Sequence, residues 1–431
     1  MNGRNCRPGT LTGRRVAEND TIVGSIPPNC DYACKLPIYL ANCMFMRWID
    51  RIRLQNRIDA GLAGYPITLL LGPRQCGKTS MARRISASRQ GTYFDLESPD
   101  ASLRPESAMT QLRDLKGLVV IDEVQREPHL FELLRVLADR RPIAARFLIL
   151  GSATPSLVKG VSESLAGRVA YVDMAGLTVE ECGTQLWQTL WLRGGFPHSF
   201  LADDNKISYE WRMNFIQSFL ERDIPQLGIR VPANALRRFW TMLAHYHAQP
   251  WNGSELARTL GVKPDTARHY LDILSGAFMV RQLMPWFENT GKRLVKAPRV
   301  YFRDTGLLHA LLSLTTPEQL LSHPQFGFSW EGFALEEIIR ALNADQDAYF
   351  YRTQSGAELD LVLLRGGRRY GFEFKFSDRP RTSRSMRIAM ADLALKQLWI
   401  VYPGERAFPL DECIEALPLA RAPELAKRLE D

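Results

Sequence analysis

A glycine-bounded loop that ends in a lysine and a threonine is the segment of this sequence best suited to chemistry. Residues 72–79 read Gly-Pro-Arg-Gln-Cys-Gly-Lys-Thr, which fits the pattern G-x-x-x-x-G-K-[ST]. In such a loop the backbone N–H groups turn toward phosphate oxygens, the lysine places a positive charge beside them, and the threonine hydroxyl binds Mg²⁺. The alternative is a plain turn between a strand and a helix. The residues expected to bind a nucleotide are Gly72, Pro73, Arg74, Gln75, Cys76, Gly77, Lys78, Thr79 and Ser80.

Two carboxylates follow an apolar run further along the chain. Residues 118–121 are apolar, and Asp122 and Glu123 come directly after them. Ligands of open α/β sheets bind outside the carboxyl ends of the strands. We therefore expect Asp122 to join the Mg²⁺ shell, and Glu123 to orient or deprotonate the water that attacks the terminal phosphate. The alternative for both residues is a role as helix caps.

Two more polar residues have positions that fit the same chemistry. Ser152 follows the strand predicted at residues 146–150 and is expected to contact the terminal phosphate or the attacking water. Its alternative role is that of a turn or cap residue. Arg168 follows Gly167 and is expected to supply positive charge to the phosphate of a neighbouring subunit. Its alternative role is that of a solvated surface arginine.

These residues need a sheet to position them, and the hydrophobic pattern predicts one. Short apolar runs alternate with helical segments, as in an α/β fold whose mostly parallel sheet is covered on both faces. The predicted strands are 67–71, 92–96, 118–121, 146–150 and 169–172. The sequence has no Asn-Lys-x-Asp element that would read a guanine base, so ATP is expected rather than GTP.

Length and composition narrow the class of protein. At 431 residues, the chain is long enough for roughly two to four domains. Its net charge of +8 favours polyanionic partners such as DNA or RNA. No apolar run approaches the roughly 18 residues that a transmembrane helix needs, so we expect a soluble protein with no membrane partner. Seven cysteines at scattered spacings argue against a disulfide framework and favour the reducing cytoplasm.

Residues 252–271 have the pattern of two helices joined by a turn. Gly261 is expected to end the first helix and Pro264 to begin the second. The residues expected to face outward, as in a DNA-reading helix, are Thr266, Arg268 and His269. The basic residues expected near phosphates, where a wing would follow, are Lys292, Arg293, Lys296, Arg299 and Arg303. The alternative is a winged helix that serves to pack one domain against another.

Several motifs of the first half of the chain occur together. They are Gly-Pro-Arg-Gln-Cys-Gly-Lys-Thr, Val-Ile-Asp-Glu-Val-Gln, Gly-Ser-Ala-Thr and Ser-Leu-Ala-Gly-Arg, followed by Leu-Arg-Gly-Gly-Phe-Pro and Phe-Leu-Glu-Arg-Asp-Ile. In this combination the sequence resembles the AAA-type ATPases of bacteria and archaea that carry a C-terminal domain of unassigned function, DUF4143. The resemblance covers the chain from about residue 46 to its end. It implies an ATP-hydrolysing P-loop domain, and the role expected of Arg168 requires a homo-oligomer.

The resemblance also implies an order of domains. We expect a flexible extension at residues 1–45, an AAA-type ATPase domain at 46–178, a helical linker or lid at 179–250, a winged helix-turn-helix at 251–298, and an α/β restriction-endonuclease-like domain at 299–431.

A helix with one inward glutamate is predicted at residues 330–342. Glu331 falls on its apolar stripe, which is formed by Ala334, Leu335, Ile338 and Leu342. The residues predicted to face away from that stripe are Glu336, Glu337 and Arg340. A glutamate that points inward is costly unless it is paired or bound to a metal.

Two strands that follow this helix carry an acidic and basic pattern. Asp360 lies on the first, with its side chain on the face of Val362, and Glu373 and Lys375 share one face of the second. The spacing Asp-x12-Glu-x-Lys resembles the PD-(D/E)xK nuclease core, although its proline is missing. By that resemblance Asp360 and Glu373 are expected metal ligands, Lys375 the partner of the attacking water, and Glu331 the acidic residue of the helix. The alternative is a solvated Glu-x-Lys pair. The protein would then be a regulatory ATPase in signalling or assembly, whose winged helix and nuclease-like domain bind partners without catalysis.

Overall fold

The computed structural model describes residues 48–98, 103–152, 161, 163–287 and 294–429. The extension predicted at residues 1–45 and the basic residues Lys292 and Arg293 lie outside these ranges. Within them, no helix is both long enough and apolar enough to cross a membrane.

A parallel sheet forms the first part of the described chain. Its strands are β1 (Ile67–Gly72), β2 (Thr92–Asp95), β3 (Gly117–Asp122), β4 (Ala145–Ser152) and β5 (Val169–Asp173). Their order across the sheet is β2-β3-β4-β1-β5. The five predicted strands are therefore confirmed, with ends that differ by at most two residues. This order brings the carboxyl ends of β1, β3 and β4 side by side.

Helices cover both faces of this sheet, as the continuously apolar strands predicted. They are α1 (Ile52–Gly64), α2 (Lys78–Ser88), α3 (Pro105–Leu112) and α4 (Leu130–Ala138). Leu70 and Val120 pack with residues of α1 and α2, whereas Leu69 and Val119 pack with residues of α3 and α4. Because successive strand residues point to opposite faces, each strand contributes to two cores and is fixed from both sides.

The chain after β5 is helical as far as residue 245. Its helices are α5 (Val179–Cys182), α6 (Trp187–Arg193), α7 (Pro197–Phe200), α8 (Asn205–Ser218), α9 (Ile224–Gln226) and α10 (Ala233–His245). Between α8 and α9 the residues Phe219–Asp223 form a π-helical turn. Phe219 and Leu220 of this turn are buried in the same core as Leu70 of β1.

Two helices and three short strands follow. They are β6 (Gln249–Pro250), α11 (Gly253–Leu260), α12 (Pro264–Gly276), β7 (Val280–Pro285) and β8 (Arg299–Phe302). Gly261 ends α11 in a left-handed conformation with a φ of 69°, and Pro264 begins α12, which confirms the predicted pair of helices. Strand β8 is antiparallel to both β6 and β7.

The last part of the chain is a mixed α/β region. Its strands are β9 (Ala348–Arg352), β10 (Glu358–Arg365), β11 (Arg368–Phe374), β12 (Gln397–Tyr402), β13 (Phe408–Asp411) and β14 (Ile414–Pro418). Its helices are α13 (Thr305–Leu311), α14 (Pro317–Ser322), α15 (Phe326–Leu342), α16 (Arg384–Leu393) and α17 (Leu425–Arg428). Strands β6 to β14 form one sheet in the order β13-β14-β12-β11-β10-β9-β7-β8-β6. The boundary expected at residue 298 therefore falls inside a continuous sheet.

Two buried histidines lie close to helix α15. His247 accepts a hydrogen bond at Nδ1 from the backbone N–H of Phe302 (3.0 Å), and Nε2 of His309 lies 2.7 Å from Oγ of Ser329. Burial lowers the pKa of both imidazoles from 6.5 to about 3. At a pH between about 3 and 6.5, these histidines are protonated in the unfolded chain but not in the folded chain. The folded state is therefore destabilised as the pH falls below the unfolded pKa of 6.5.

We expect these histidines to make the folded chain sensitive to acid. The free energy of unfolding should fall by roughly 1 kcal/mol per histidine between about pH 7 and about pH 5.5. Chemical denaturation at several pH values measures this, and His247→Gln should weaken the dependence. His245→Gln changes an exposed histidine and is the matched control. A pH dependence that is the same in His247→Gln as in the natural chain would contradict this assignment.

Candidate functional site

The phosphate loop leaves the carboxyl end of β1 and enters helix α2. A Cβ at Gly72 would lie 2.0 Å from the carbonyl oxygen of Met174, so a side chain there would displace the backbone. Gly77 has a φ of 101°, which side-chain-bearing residues rarely adopt, and Lys78 follows it as the first residue of α2. The two glycines thus allow a tight turn into a helix N-terminus, which is a site that favours anions.

Lys78 is turned toward its own loop. Its Nζ donates hydrogen bonds to the carbonyl oxygens of Gly72 (2.9 Å) and Pro73 (2.8 Å), and the residue is buried. Thr79 follows in the first turn of α2 and is half-buried, whereas Gln75 and Ser80 are exposed. A phosphate in the loop would offer the ammonium group a charged acceptor in place of two neutral carbonyls.

Asp122 is held in a fixed orientation at the end of β3. The hydroxyl of Tyr93 donates to its Oδ2 (2.7 Å), and the backbone N–H of Glu123 donates to its Oδ1 (3.0 Å). Tyr93 is a site residue that the sequence analysis missed. An aromatic residue in a strand usually belongs to the core, and its role follows from the pairing of β2 with β3. Each carboxylate oxygen keeps a lone pair for a further ligand.

Glu123 has an unusual backbone conformation beside the loop. Its φ is 57°, in the left-handed region that is uncommon for residues with a side chain and that often marks functional sites. Burial raises the pKa of this carboxyl group, whereas the charges of Lys78 and Arg74 lower it. A raised pKa makes a carboxylate a stronger base, as the activation of a water molecule requires.

Ser152 ends β4 and lies directly beside Gly72 of β1 in the sheet. Its Oγ is buried and has no hydrogen-bond partner among the described residues. An unpaired buried hydroxyl costs about 1–3 kcal/mol unless a ligand or water satisfies it. The hydroxyl is therefore suited to a phosphate oxygen or to a water molecule at this edge.

The predicted nucleotide-site residues on β1, β3 and β4 thus come together at one edge of the sheet. The glycine turn and the helix N-terminus provide a cradle for phosphates, and the unpaired hydroxyl of Ser152 adds a donor. Asp122 and Thr79 provide the oxygen donors that Mg²⁺ accepts from a protein when phosphates complete its shell. The residues present fit a nucleoside triphosphate with Mg²⁺.

Arg168 lies at the opposite edge of the same sheet. It precedes β5, whose Val169 pairs with Ile67 at the amino end of β1. Its guanidinium group holds Asp139 at 2.6 and 2.8 Å. At about 3.3 Å per strand residue, it is roughly 16 Å from the phosphate loop. Arg168 is therefore not part of the nucleotide site of its own chain, and its role across a subunit interface stays a prediction.

Arg51, just before α1, connects the phosphate loop with the segment that follows β5. Its guanidinium group donates to the carbonyl oxygens of Cys76 (3.5 Å) and Gly176 (2.9 Å) and pairs with Glu181 (2.8 Å). Arg51 is buried. A displacement of the loop would therefore shift Arg51 and alter its contact with Glu181 of α5.

A second set of contacts carries this connection to the C-terminal region. The backbone N–H of Val179 donates to Glu337 of α15 (2.9 Å). Arg53 of α1 donates to the carbonyl oxygens of Ala341 (2.9 Å) and Pro423 (2.8 Å). Elsewhere a cavity of about 720 Å³ separates α1 from α15, so these hydrogen bonds join two elements that are not closely packed.

The carboxylates predicted as a metal site converge, but an arginine lies among them. Arg299 of β8 contacts Glu331 (3.5 Å), Glu358 (3.0 Å) and Asp360 (3.3 Å). Its guanidinium carbon lies 5.1 Å from the centre of the Phe350 ring. Arg299 is buried, so the prediction that it contacts phosphates at a wing is wrong. It is instead the cation of the acidic cluster.

The remaining members of the cluster are also paired. Lys375 holds Glu373 at 2.7 Å, and Asp360 accepts a hydrogen bond from the backbone N–H of Phe374 (3.1 Å). Burial raises the pKa of Glu373 and of Glu331, with the charge of Asp360 as the next cause. Among the described residues, no group of three or more histidine, cysteine, aspartate or glutamate side chains is placed to hold a metal ion. In this arrangement Arg299 and Lys375 balance the charge of the carboxylates, and Oε2 of Glu373 is buried without a hydrogen-bond partner among the described residues.

Two other predictions for α15 and its surroundings are wrong. Glu336 and Glu337 are buried rather than outward, because β7, β8 and the segment after β5 cover the second side of the helix. Glu336 pairs with Arg281 of β7, and Arg303 holds Asp345 at 2.9 Å. Arg303 is thus occupied by internal pairing and does not lie where a wing would meet phosphates.

Three residues of α12 were predicted to face outward, and two of them do. Arg268 and His269 are exposed, whereas Thr266 is half-buried. Arg268 pairs with Asp272 one turn further along the helix (3.2 Å). Lys296 is exposed as well.

Three family profiles match consecutive parts of the chain. Residues 64–183 match an AAA domain, residues 184–318 match the domain of unknown function DUF8612, and residues 326–422 match the domain of unknown function DUF4143.

Two relatives align with most of the chain, and one solved structure is similar to part of it. Over 394 residues the chain is 50% identical to uncharacterized protein Rv2008c of Mycobacterium tuberculosis and to uncharacterized protein Mb2031c of Mycobacterium bovis; the aligned region is 91% of this chain and 88% of each relative. The structure of the Walker-type ATPase PABY2304 of Pyrococcus abyssi is 16% identical, with a TM-score of 0.45; the match covers 62% of this chain and 96% of that one.

Proposed function

Because this chain belongs to the family of P-loop ATPases that combine an AAA domain with a C-terminal DUF4143 domain, we propose that it binds ATP with Mg²⁺ and hydrolyses it. The observation that carries this proposal is the convergence of the phosphate loop with Asp122, Glu123 and Ser152 at one sheet edge. A binding loop alone would account for nucleotide binding. A half-buried glutamate and an unpaired serine hydroxyl beside it support hydrolysis as well.

The proposed reaction divides the work among a few side chains. Lys78 leaves the carbonyl oxygens of its own loop and neutralises phosphate charge. Glu123 accepts a proton from the attacking water, and Ser152 donates its hydroxyl to the terminal phosphate or to that water. Thr79 and Asp122 would hold Mg²⁺, which supplies positive charge to the phosphates when bound.

Lys78→Ala tests the nucleotide site directly. We expect ATP affinity to fall at least about tenfold, because a hydrogen-bonded charge beside the phosphates is lost. Titration with a fluorescent ATP analogue measures this. Arg89→Ala is the matched control. Arg89 directly follows α2, the helix that Lys78 begins, and its exposed side chain pairs with Asp59 of α1. Normal binding and turnover in Lys78→Ala would refute an ATP site at this loop.

We also propose that nucleotide state is communicated to the C-terminal region. The contacts of Arg51 and Arg53 support this, because they join the phosphate loop and α1 to the segment after β5 and to α15. They are few and lie beside a cavity, so a small displacement can alter them without disturbing a packed core.

For the C-terminal region we propose an interaction module that binds nucleic acid without cutting it. The internal cation Arg299 argues against a metal-dependent nuclease. Exposed basic residues around the start of α16 support contacts with phosphates, and α12 before this region adds two more; they are Arg379, Arg381 and Arg384, with Arg268 and His269 on α12.

Incubation with labelled DNA and RNA in ATP with Mg²⁺ or Mn²⁺ tests this proposal. We expect binding without cleavage, and an affinity that falls steeply with rising salt because phosphate contacts release counterions. Asp360→Asn should bind like the natural chain. Cleavage by the natural chain that is lost in Asp360→Asn would contradict the proposal and establish a catalytic site. An affinity that does not change with salt would exclude phosphate contacts.

A further inference from the structure

Arg74 is the residue of the phosphate loop that reaches into the helical region. Its guanidinium group binds Asp223 at 2.8 Å, and the two side chains are only 17% and 9% exposed. A carboxylate of the sheet domain, Glu97, lies 3.9 Å away. The Nε atom of Arg74 is buried and has no hydrogen-bond partner among the described residues. Asp223 is therefore the carboxylate that accepts a hydrogen bond from this arginine, Glu97 lies at the limit of an ion pair, and one donor of the guanidinium group is unused.

Asp223 is presented by a special piece of helix. It is the last residue of the π-helical turn Phe219–Asp223, and Pro225 follows in α9. Wide turns of this kind are rare and are frequent at functional sites. Phe219 and Leu220 anchor the turn in the core that also contains Leu70 of β1. The turn thus places a carboxylate of the helical region against the phosphate loop.

The charges around Arg74 would allow phosphate oxygens to replace Asp223 as its partner. Burial raises the pKa of Asp223, while the charge of Arg74 lowers it, so the carboxylate gains from this ion pair. Arg74 also acts on Glu123, whose pKa it lowers together with Lys78. A triphosphate in the loop would bring several negative charges into the same small space. A planar guanidinium group binds phosphate oxygens as readily as it binds a carboxylate.

We propose that Arg74 is the residue by which the site distinguishes a nucleoside triphosphate from a diphosphate, with Asp223 as its counter-ion when the terminal phosphate is absent. The terminal phosphate takes the guanidinium group from Asp223, and the π-helical turn is released from the loop. This inference rests on the proposed ATP site and adds a residue that reports which nucleotide occupies it. The phosphate loop and the π-helical turn, which are far apart in the sequence, thereby respond to one phosphate group.

The test compares Arg74→Ala with Asp223→Asn in the full chain. Dissociation constants are measured for ADP and for a non-hydrolysable ATP analogue, both with Mg²⁺. Arg74→Ala should weaken binding of the ATP analogue on the order of tenfold and change ADP binding little. Asp223→Asn should act in the opposite direction and strengthen binding of the ATP analogue, because Arg74 no longer has a competing partner. Arg74→Lys, which keeps the charge but loses the planar group, should fall between Arg74→Ala and the natural chain.

A merely structural ion pair gives a different pattern. Both substitutions would then break the same bond and shift ADP and ATP analogue together in the same direction, which would overturn the proposal. Arg126→Ala is the matched control, since that exposed arginine also pairs with Glu97 (3.3 Å) and should leave both constants unchanged. If the natural chain bound neither nucleotide, the ATP site itself would be refuted. A natural chain that binds both, with an unaltered preference in Arg74→Ala, refutes this inference alone.

Discussion

Replacement of Glu123 by glutamine is expected to stop ATP turnover while ATP remains bound. The amide keeps the size of the side chain but cannot accept a proton from water, and loss of a positioned base lowers kcat by about a thousandfold. The two hydrogen bonds of Lys78 go to carbonyl oxygens of its own loop and not to this carboxylate. Affinity for ATP should therefore change by no more than about threefold, a small effect beside the loss of a charged hydrogen bond.

Glu127→Gln provides the control for this variant. Glu127 is a neighbouring carboxylate that is partly exposed and lies 3.3 Å from His129. Its substitution should leave both kcat and ATP affinity unchanged. If Glu123→Gln turned over ATP at the natural rate, another residue would be the base. If it lost binding as well, Glu123 would hold the loop together rather than activate water.

Replacement of Arg299 by alanine is expected to destabilise the C-terminal region by about 3 kcal/mol or more, because it leaves buried carboxylates without their cation. Glu331, Glu358 and Asp360 all contact this guanidinium group, and the side chains of Asp360 and Glu331 are only 7% and 12% exposed. Urea denaturation followed by tryptophan fluorescence measures the loss, since several tryptophans lie in the same core. A second substitution, Asp360→Asn, in the Arg299→Ala background should recover part of the stability.

Arg352→Ala is the control that compares an exposed ion pair of this cluster with the buried pairs of Arg299. Arg352 lies 3.6 Å from the same Glu358, but its side chain is 38% exposed. Its loss should cost about 0–1 kcal/mol, as for surface ion pairs. An Arg299→Ala variant as stable as the natural chain would contradict the account. A melting temperature that rises with Mg²⁺ or Mn²⁺ in the natural chain but not in Asp360→Asn would also contradict it, and would identify the cluster as a metal site.

The nucleotide site could be predicted from the sequence because its signals are local. The loop between Gly72 and Thr79 carries its own pattern, and the apolar run before Asp122 marks a buried strand whose end must lie at the same edge. Ser152 was expected at that edge because its strand ends there as well, whereas its place directly beside Gly72 follows from the observed pairing of β4 with β1. Tyr93 was missed because its function depends on which strand is the neighbour of β3, and residue type alone does not give that order.

The sequence predicted that the acidic residues of the C-terminal cluster come together, but not that Arg299 lies among them. Arg299 is separated from its partners by 32, 59 and 61 residues, so no local pattern links them. In the sequence it stands in a basic stretch, which favours a phosphate surface. Glu336 and Glu337 were assigned outward because one helix face was assumed to meet solvent. The continuous sheet and the segment after β5 cover that face, and Arg281 and Arg340 provide the pairing that buried carboxylates require.

Steady-state phosphate release from ATP by the purified chain, measured over a range of Mg²⁺ concentrations, tests the central claim most directly. The account predicts release that requires Mg²⁺, saturates with ATP, and is abolished in both Lys78→Ala and Glu123→Gln. Equal release by Lys78→Ala and the natural chain, or bound ATP that is never hydrolysed by the natural chain, would contradict it.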